Sequence, residues 1–378
     1  MQYHDYIRYM DSEEMYIHIS NEAILQKEVI RPILLVSHNL SITGAPIALL
    51  DLTRVLMKNG YQAFVVSLVD GDILEAFLRH DAVVLVYSGR SINVEWLKKA
   101  VSIFPAIVVN TLVLAPLVRI LAPVGKKIFW WIHESEYLFL ELDYVDIPEI
   151  PSLHILAASP KVSKSICDHM GKQSYILNVM VNDYHPENKL LQKDDTIHFF
   201  WGGFINFNKM PELLLRAVLE LPEIYRKRAD FTFCGDGVDI ERTGLIKNCA
   251  DEFSNIYYLP TLPHQEFIDL MDRMDVVVVC SKEETTSLVA VEGLMLEKIV
   301  ICSDGCGVAD YLKDGINSFM FAAGDHSQLC QKIKYVVDQF DRLKAVKKAG
   351  RKIYERYYTE EAFEKQVLHF FGGQSDLS

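Results

Sequence analysis

Two glutamates, Glu284 and Glu292, lie eight residues apart in the segment SKEETTSLVAVEGLMLEKIVI, which spans residues 281–301. The residues three and four positions from Glu292 are apolar, which predicts a helix that turns this carboxylate towards the protein interior. A polar group buried there costs on the order of several kcal/mol unless it is hydrogen-bonded. We therefore expect Glu292 to bind the hydroxyl groups of a ligand.

The start of the same predicted helix offers a second kind of chemistry. The first backbone amides of a helix, here those of Ser287, Leu288 and Val289, have no partner inside the helix, and the helix dipole favours an anion beside them. A phosphate would suit this position. Hydroxyl groups next to a phosphate indicate a nucleotide-sugar as the ligand.

Further candidate residues follow predicted strands, where ligands of open parallel sheets bind. Gly44 precedes a helix and would let backbone amides approach a ligand, or it simply permits a turn. Lys209 would neutralise a diphosphate, unless it is a solvated surface lysine. His133 ends a strand of bulky apolar residues and is either functional or a hydrogen-bonded core histidine. The glycines in FTFCGDGVD, Gly235 and Gly237, lack the third glycine of the dinucleotide fingerprint.

The elements that position these residues alternate between short apolar strands and helices from about residue 32 onward, which is typical of parallel α/β units. The predicted strands are PILLVSH, AFVVSL, AVVLVY, AIVVNT, KIFWWIH and HILAAS in the first half, and IHFFWG, FTFCG, NIYYLP, DVVVVCS and KIVICSD in the second. The predicted helices include residues 45–59, 211–221, 265–274 and 288–297. The pattern predicts two doubly wound parallel sheets in tandem.

The length of 378 residues also favours two domains. We predict an N-terminal Rossmann-like acceptor domain at residues 1–187, in which residues 1–30 form an extra segment whose tyrosine-rich helix packs on its own domain. A C-terminal Rossmann-like domain at residues 188–355 would bind the nucleotide-sugar. The last part, residues 356–378, is predicted to be a helix that packs back on the N-terminal domain.

Composition narrows the classes of function. A formal net charge of −13 argues against a nucleic-acid partner. The seven cysteines are scattered in apolar runs, which is typical of a reducing compartment, and Cys302 and Cys306 lack neighbours for a zinc site. The acidic N-terminus does not resemble a secretory signal, so we expect a cytoplasmic protein. A peripheral contact with a membrane and the oligomeric state stay open.

Taken together, these motifs resemble the family 4 glycosyltransferases, which are retaining enzymes of GT-B architecture that use nucleotide-sugars. The resemblance extends from Arg31 to about Gly372. The family's Glu-x7-Glu motif matches Glu284 and Glu292, preceded by Ser281. The other matched positions are Gly44 in the N-terminal glycine loop, Gly203 and Lys209 in GFINFNK, the histidine His133, the Gly235 to Gly237 turn, and Gly307 to Asp310 in place of Gly-x-Pro-Glu.

The resemblance implies two Rossmann-like domains that face a central cleft, and it implies a role for each matched residue. Glu292 would bind the ribose and Glu284 the transferred sugar. Lys209 and the amides of Ser287 to Val289 would bind the diphosphate. His133 would contact the donor sugar from the opposite domain, and catalysis would need neither a metal nor another cofactor. Gly44, Gly203, Gly235 and Gly307 would complete the donor site.

Three positions depart from the family pattern. Phe204 replaces the arginine that usually accompanies the lysine, and Thr285 and Ser287 replace glycines after the first motif glutamate. Two alternatives therefore stay open: a non-catalytic GT-B subunit that binds glycans or chaperones a transferase, and a nucleotide-sugar epimerase. For the transferase, the acceptor would be a glycan, a lipid-linked molecule or a protein, and loops 70–77 and 134–151 would recognise it.

Overall fold

The structure is a computed structural model that describes residues 1–89, 94–141, 147, 149–184 and 195–372. The chain divides into two compact units, one formed by Met1–Met180 with Phe363–Ser378 and the other by Val181–Ala362. The predicted boundary between residues 187 and 188 lies outside the described residues. The predicted boundary after residue 355 lies inside a helix, and the chain joins the first unit only at Phe363.

Within the described residues, the first unit contains an eight-stranded sheet. Its strands are β1 (Met15–His18), β2 (Pro32–Ser37), β3 (Gln62–Ser67), β4 (Val83–Tyr87), β5 (Ala106–Asn110), β6 (Lys127–Ile132), β7 (Leu153–Ala157) and β8 (Tyr175–Ile176). They are arranged in the order β1-β4-β3-β2-β5-β6-β7-β8, and only β1 is antiparallel to its neighbour. From β4 to β7 this is the strand order 3-2-1-4-5-6 of Rossmann sheets.

Helices cover both faces of this sheet. They are α1 (Tyr3–Met10), α2 (Gly44–Lys58), α3 (Leu74–Leu78), α4 (Val94–Ser102), α5 (Ala115–Leu121), α6 (Glu136–Glu141) and α7 (Pro160–Met170). Strands β2 to β6 are almost wholly buried, and their side chains enter one of two hydrophobic cores according to the face they occupy. Such continuous burial is expected when a parallel sheet lies between two helical layers.

The second unit repeats the plan with a six-stranded sheet in the order β11-β10-β9-β12-β13-β14, and its strand pairs within the described residues are all parallel. Its strands are β9 (Ile197–Gly202), β10 (Ala229–Cys234), β11 (Ile256–Leu259), β12 (Val276–Val279), β13 (Ile299–Ser303) and β14 (Phe319–Phe321). Its helices are α8 (Pro211–Leu219), α9 (Glu223–Arg226), α10 (Ile240–Glu252), α11 (His264–Asp272), α12 (Leu288–Met295), α13 (His326–Gln339) and α14 (Lys344–Tyr357). The strand order is again 3-2-1-4-5-6, so the predicted class of two mostly parallel α/β domains is confirmed.

The two chain ends both belong to the first unit. Helix α1 buries Tyr3, Tyr6 and Met10 in one hydrophobic core. The last helix, α15 (Glu360–Phe371), places Phe363, Val367, Phe370 and Phe371 in the other core. The sequence predicted a C-terminal helix at residues 356–378, whereas in the structure α14 continues to Tyr357 and α15 begins at Glu360.

None of the helices within the described residues combines the length and the apolar character that crossing a bilayer requires.

Candidate functional site

The topology of the second sheet identifies where a ligand would bind. In the order 3-2-1-4-5-6, the chain adds strands on one side of β9 and then on the other, so the strand order reverses between β9 and β12. Ligands bind beyond the carboxyl ends of the strands at such a point. The loops that follow β9 and β12 contain Lys209 and Glu284, respectively. The two residues that the sequence singled out in these loops therefore come together for a topological reason.

Lys209 and Glu284 form an ion pair, with 2.7 Å between lysine Nζ and glutamate Oε2. The glutamate side chain is 11% exposed and the lysine side chain 27% exposed. The hydroxyl of Ser281 donates a hydrogen bond to the other carboxylate oxygen of Glu284. The sequence predicted both charged residues as ligand-binding groups but not that they would neutralise each other.

Backbone hydrogen bonds hold the Glu284 segment in place from both sides. The Glu284 amide donates to the carbonyl of Gly305 at 3.0 Å, and the Gly307 amide donates to the Glu284 carbonyl at 2.9 Å. Asn208 donates to the Glu283 carbonyl and accepts from the Glu283 amide. The predicted site residues Lys209, Glu284 and Gly307 therefore lie on three loops that are joined by hydrogen bonds.

The glycines Gly203 and Gly235 have different local roles. Gly235 has φ +145°, and a Cβ there would lie 1.9 Å from the carbonyl oxygen of Gly203. Gly203 has φ +143°, but a Cβ there would meet no atom within 4 Å. The loops after β9 and β10 can therefore touch only because residue 235 is a glycine. This structural role is separate from the donor-binding role that the sequence predicted for Gly235.

Helix α12 begins at the same edge of the sheet. Its N-cap residue, Ser287, is 4% exposed and has φ +77°, a left-handed conformation that is strained for a serine. The Ser287 side chain does not cap the helix, and its buried Oγ lacks a hydrogen-bond partner. An unsatisfied buried hydroxyl beside the first amides of a helix is suited to a ligand oxygen.

Glu292 lies on the second turn of α12 and is 5% exposed, as its apolar neighbours in the sequence predicted. Its Oε1 lies 2.8 Å from His264 Nε2, which is the one polar contact of this carboxylate among the described residues. The hydrogen bond raises the pKa of His264, whose side chain is 77% exposed. The carboxylate therefore has an exposed partner and retains a second oxygen, Oε2, for a ligand.

In the first unit, the corresponding reversal of strand order lies between β2 and β5. The last residue of β5, Asn110, is fully buried and donates its amide hydrogen to the carbonyl of Ala45 at 2.9 Å, at the start of α2. Its oxygen lies 2.8 Å from His133 Nε2, at the end of β6. Asn110 thus joins the Gly44 helix start to the predicted histidine.

These contacts define the protonation of His133. Because the Asn110 amide nitrogen is committed to Ala45, the atom that faces His133 is an oxygen, so Nε2 must carry the hydrogen. Burial lowers the pKa of His133 to about 3, with a smaller contribution from His38. The ring is therefore neutral at physiological pH, and Nδ1 is a hydrogen-bond acceptor.

The residue after His133 also has an altered acidity. Glu134 Oε2 accepts hydrogen bonds from the amides of Leu112 and His133, at 2.8 and 2.9 Å. Burial nevertheless raises the pKa of Glu134 to about 7, because these hydrogen bonds offset only part of the desolvation. Close by, Thr111 is held at φ +88° between β5 and the following turn. Backbone strain of this kind is concentrated at functional sites.

Helix α2 begins at Gly44, after the N-cap residue Thr43, whose side chain makes no capping hydrogen bond. A Cβ on Gly44 would meet no atom within 4 Å, so the protein itself does not require a glycine for space. The space beside Gly44 is consistent with the approach of a ligand to the start of α2.

Sequence reasoning missed two residues of these clusters, His264 and Asn110. It anticipated the departure at Phe204, and the structure shows this aromatic side chain 53% exposed in the loop after β9. Among the described residues, no group of three or more His, Cys, Asp or Glu side chains is arranged to hold a metal ion.

Each of the two units matches the model of a known protein family. Residues 183–353 match the family model described as glycosyl transferases group 1, and residues 30–168 match the model described as glycosyl-transferase family 4. A search of curated proteins returned no match.

Solved structures share the fold at low sequence identity. HepE from Anabaena, in complex with UDP and glucose, has 14% identity and a TM-score of 0.71, covering 90% of this chain and 99% of HepE. A glycosyltransferase from Rickettsia africae has 15% identity and a TM-score of 0.73, over 91% of this chain and 99% of that one. WaaB, a lipopolysaccharide outer core galactosyltransferase in apo form, has 13% identity and a TM-score of 0.75, over 91% and 99%. The chain therefore belongs to the glycosyltransferases of GT-B fold, with a family 4 domain at residues 30–168 and a group 1 domain at residues 183–353.

Proposed function

We propose that this glycosyltransferase is a retaining, metal-independent enzyme that transfers a hexose from a UDP-sugar to a glycan, lipid-linked or protein acceptor. The observation that carries the proposal is the cluster at the start of α12. There, a buried carboxylate (Glu292) and an unsatisfied hydroxyl (Ser287) lie on the first turns of the helix, and the Lys209–Glu284 pair lies on loops at the same edge of the sheet. The structure of HepE with UDP and glucose supports uracil as the base.

Each part of a donor has a group to receive it. Vicinal hydroxyls of the ribose would donate to the Glu292 carboxylate, because an ionised carboxylate is an acceptor only. The diphosphate would bind at the amides of Leu288 and Val289, where the helix dipole favours negative charge. As the phosphate approaches, Lys209 would turn from Glu284 to the phosphate and leave Glu284 to accept sugar hydroxyls. A lysine and a helix start supply the positive charge that a metal provides in other transferases.

His133 would receive the transferred sugar as a hydrogen-bond acceptor. Its neutral ring, with hydrogen on Nε2, presents the Nδ1 lone pair to a sugar hydroxyl. The leaving phosphate oxygen would accept the proton of the acceptor hydroxyl on the same face of the sugar, while the bond from the anomeric carbon to the phosphate breaks and the bond to the acceptor oxygen forms. No nucleophilic side chain is needed for such a step, and the retained stereochemistry follows from attack on the face that the phosphate leaves.

Calorimetric titration with UDP tests the proposal through Glu292. The Glu292→Ala variant should bind UDP at least about tenfold more weakly, because hydrogen bonds to a charged group contribute about 1.5–3 kcal/mol each. Its melting temperature should be equal to or higher than that of the wild type, since a buried carboxylate is removed together with a contact to the exposed His264.

The matched control is His264→Ala, which removes the protein partner of Glu292 and leaves the carboxylate. This variant should bind UDP at least as tightly as the wild type. If Glu292→Ala binds UDP normally but unfolds at a much lower temperature, Glu292 is structural and the proposal fails.

Incubation with UDP-glucose tests the reaction itself. The protein should release UDP at the same rate with and without EDTA, and the glucose formed by slow hydrolysis should appear first as the α anomer. Conversion of UDP-glucose into another UDP-hexose without release of UDP would identify an epimerase instead. Inverted glucose would exclude the retaining mechanism.

A further inference from the structure

The N-terminal segment adds a strand to the first sheet that neither family model includes. The family 4 match begins at residue 30, whereas β1 occupies Met15–His18. This strand pairs antiparallel with β4, with Tyr16 opposite Val86 and His18 opposite Val84. Side chains that lie opposite each other in an antiparallel pair share a face, so Tyr16 and His18 both project from the same side of the sheet edge.

Beside this strand lies a cavity of about 470 Å³ at the carboxyl ends of β3 and β4. Its wall includes Tyr16 and His18 from β1, Val69 and Asp70 from the loop after β3, and Ser88 after β4. We call these five residues the distal pocket. The distal pocket lies at the same edge of the sheet as the loops after β2 and β5, between which the strand order reverses.

The polar groups of the distal pocket fall into two sets. The hydroxyl of Ser88 donates to the Glu14 carbonyl at 2.9 Å, so it is occupied by the protein. The second set has no protein partner within the described part of the chain and consists of Asp70 Oδ2, the His18 ring and the Tyr16 hydroxyl. The other oxygen of Asp70, Oδ1, accepts a hydrogen bond from the Gly71 amide. Tyr16 is 64% exposed.

We propose that the distal pocket binds a sugar residue of an extended glycan acceptor. An exposed tyrosine ring offers a flat apolar surface on which the C–H face of a pyranose can pack. A carboxylate oxygen and an imidazole next to the ring supply an acceptor and a donor for the hydroxyl groups at the sugar's edge. This combination of an apolar surface with a few polar groups is the usual composition of a small-molecule site.

The position of the pocket indicates the length of the acceptor. The strand order places β3 three strands and β4 four strands from β6, which ends at His133. Strand β1, which contains Tyr16 and His18, is one strand further away. Neighbouring strands are about 4.8 Å apart, so the distal pocket lies roughly 14–24 Å along the sheet edge from His133. A monosaccharide cannot reach both places. The acceptor is therefore a chain of several sugar residues that is held away from its reacting end.

This inference rests on the proposed function, since it assigns the acceptor of that same reaction. A glycan array printed with mono- to hexasaccharides and probed with the labelled full chain in the presence of UDP provides the test. Glycans of three or more residues should be retained. Titration of the strongest of them should give a dissociation constant about tenfold or more higher for Tyr16→Ala and for Asp70→Asn than for the wild type.

The control variant is Tyr9→Ala, which removes a 44%-exposed tyrosine from α1 outside the distal pocket and should bind the glycan normally. Release of UDP from UDP-glucose by hydrolysis, measured without acceptor, should be equal in all four proteins. Equal glycan affinity in Tyr16→Ala and the wild type would overturn the inference, as would retention of monosaccharides only or of no glycan at all. Failure of the wild type to bind UDP or hydrolyse UDP-glucose would instead refute the proposed function.

Discussion

Replacement of Asn110 by aspartate should change the charge of His133, and this change can be followed directly. In the wild type, burial holds the pKa of His133 at about 3, against 6.5 for an unperturbed histidine. At 1.36 kcal/mol for each pKa unit, the protein resists protonation of this ring by about 5 kcal/mol. Such a ring is neutral across the pH range in which the protein is folded.

The variant would place an ionised carboxylate about 2.8 Å from Nε2, where the amide oxygen of Asn110 now lies. Both charges are spread over several atoms, so their centres would be about 4 Å apart, and an ion pair at that separation is worth about 4 kcal/mol at an effective dielectric constant of 20. The new charge therefore offsets most of the burial penalty and should raise the pKa of His133 from about 3 to about 6.

The sign of the functional effect follows from the role of Nδ1. A protonated ring carries hydrogen on both nitrogens, so it can no longer accept a hydrogen bond from a sugar hydroxyl. Hydrolysis of UDP-glucose by Asn110→Asp should therefore fall as the pH drops below about 6 and recover above pH 7. The wild-type rate should show no inflection from His133 in this range.

The assay is a histidine-selective NMR titration of both proteins, with the His133 signal assigned by its loss in His133→Gln. In the wild type, the nitrogen shifts should show hydrogen on Nε2 at pH 5 and pH 8. His154, whose pKa burial also lowers, serves as an internal reference that should titrate alike in both proteins. A wild-type ring with hydrogen on Nδ1, or an unshifted titration in Asn110→Asp, would refute the reasoning.

Two further changes probe the electrostatics of the sites. Glu134→Gln removes a carboxyl group whose pKa is raised from 4.5 to about 7. In the wild type, this raised pKa lowers the unfolding free energy as the pH rises from 4.5 to 7. The variant should therefore gain up to about 3 kcal/mol in unfolding free energy at pH 8 and nothing at pH 4.5. Urea unfolding at the two pH values checks this, and a gain at pH 4.5 equal to that at pH 8 would contradict the assigned pKa. Phe204→Arg restores the guanidinium of the family pattern at a 53%-exposed position, and it should tighten UDP binding by about 1.5–3 kcal/mol through a bidentate contact to phosphate. Calorimetry against Phe204→Lys as the control measures the gain, and equal affinity in Phe204→Arg and the wild type would show that the phosphate lies elsewhere.

Most of the fold could be predicted because the central strands are buried on both faces. Runs such as PILLVS and VVVV need no partner to be recognised as strands, and the structure places β2 and β12 there. Strand β1 was missed, since MYIH is short and half polar, and it becomes a strand only by pairing with the edge of β4. Strands β8 and β14 contain two and three residues and carry too little pattern to be seen.

A residue of the candidate site could be predicted where its near neighbours in the sequence indicate whether its side chain is buried. Glu292 was expected to be buried because its helical neighbours are apolar, and it is. Its partner His264 lies 28 residues away and on another helix, so no spacing in the sequence joins them. Asn110 had a signal that was not used: it ends a predicted strand, and every residue in that position lies at the ligand edge of the sheet.

The Lys209–Glu284 pair has a consequence for how the donor site selects its ligand. Two opposite charges at 2.7 Å, each largely buried, satisfy one another, so a neutral sugar alone gains little by separating them. A diphosphate offers Lys209 a stronger anionic partner, and the sugar then offers Glu284 its hydroxyl groups. Both halves of the donor are needed to replace both halves of the pair. In the proposed donor site, this ion pair would therefore favour a phosphate-linked sugar over a free sugar, because the linked molecule compensates both charges when it binds.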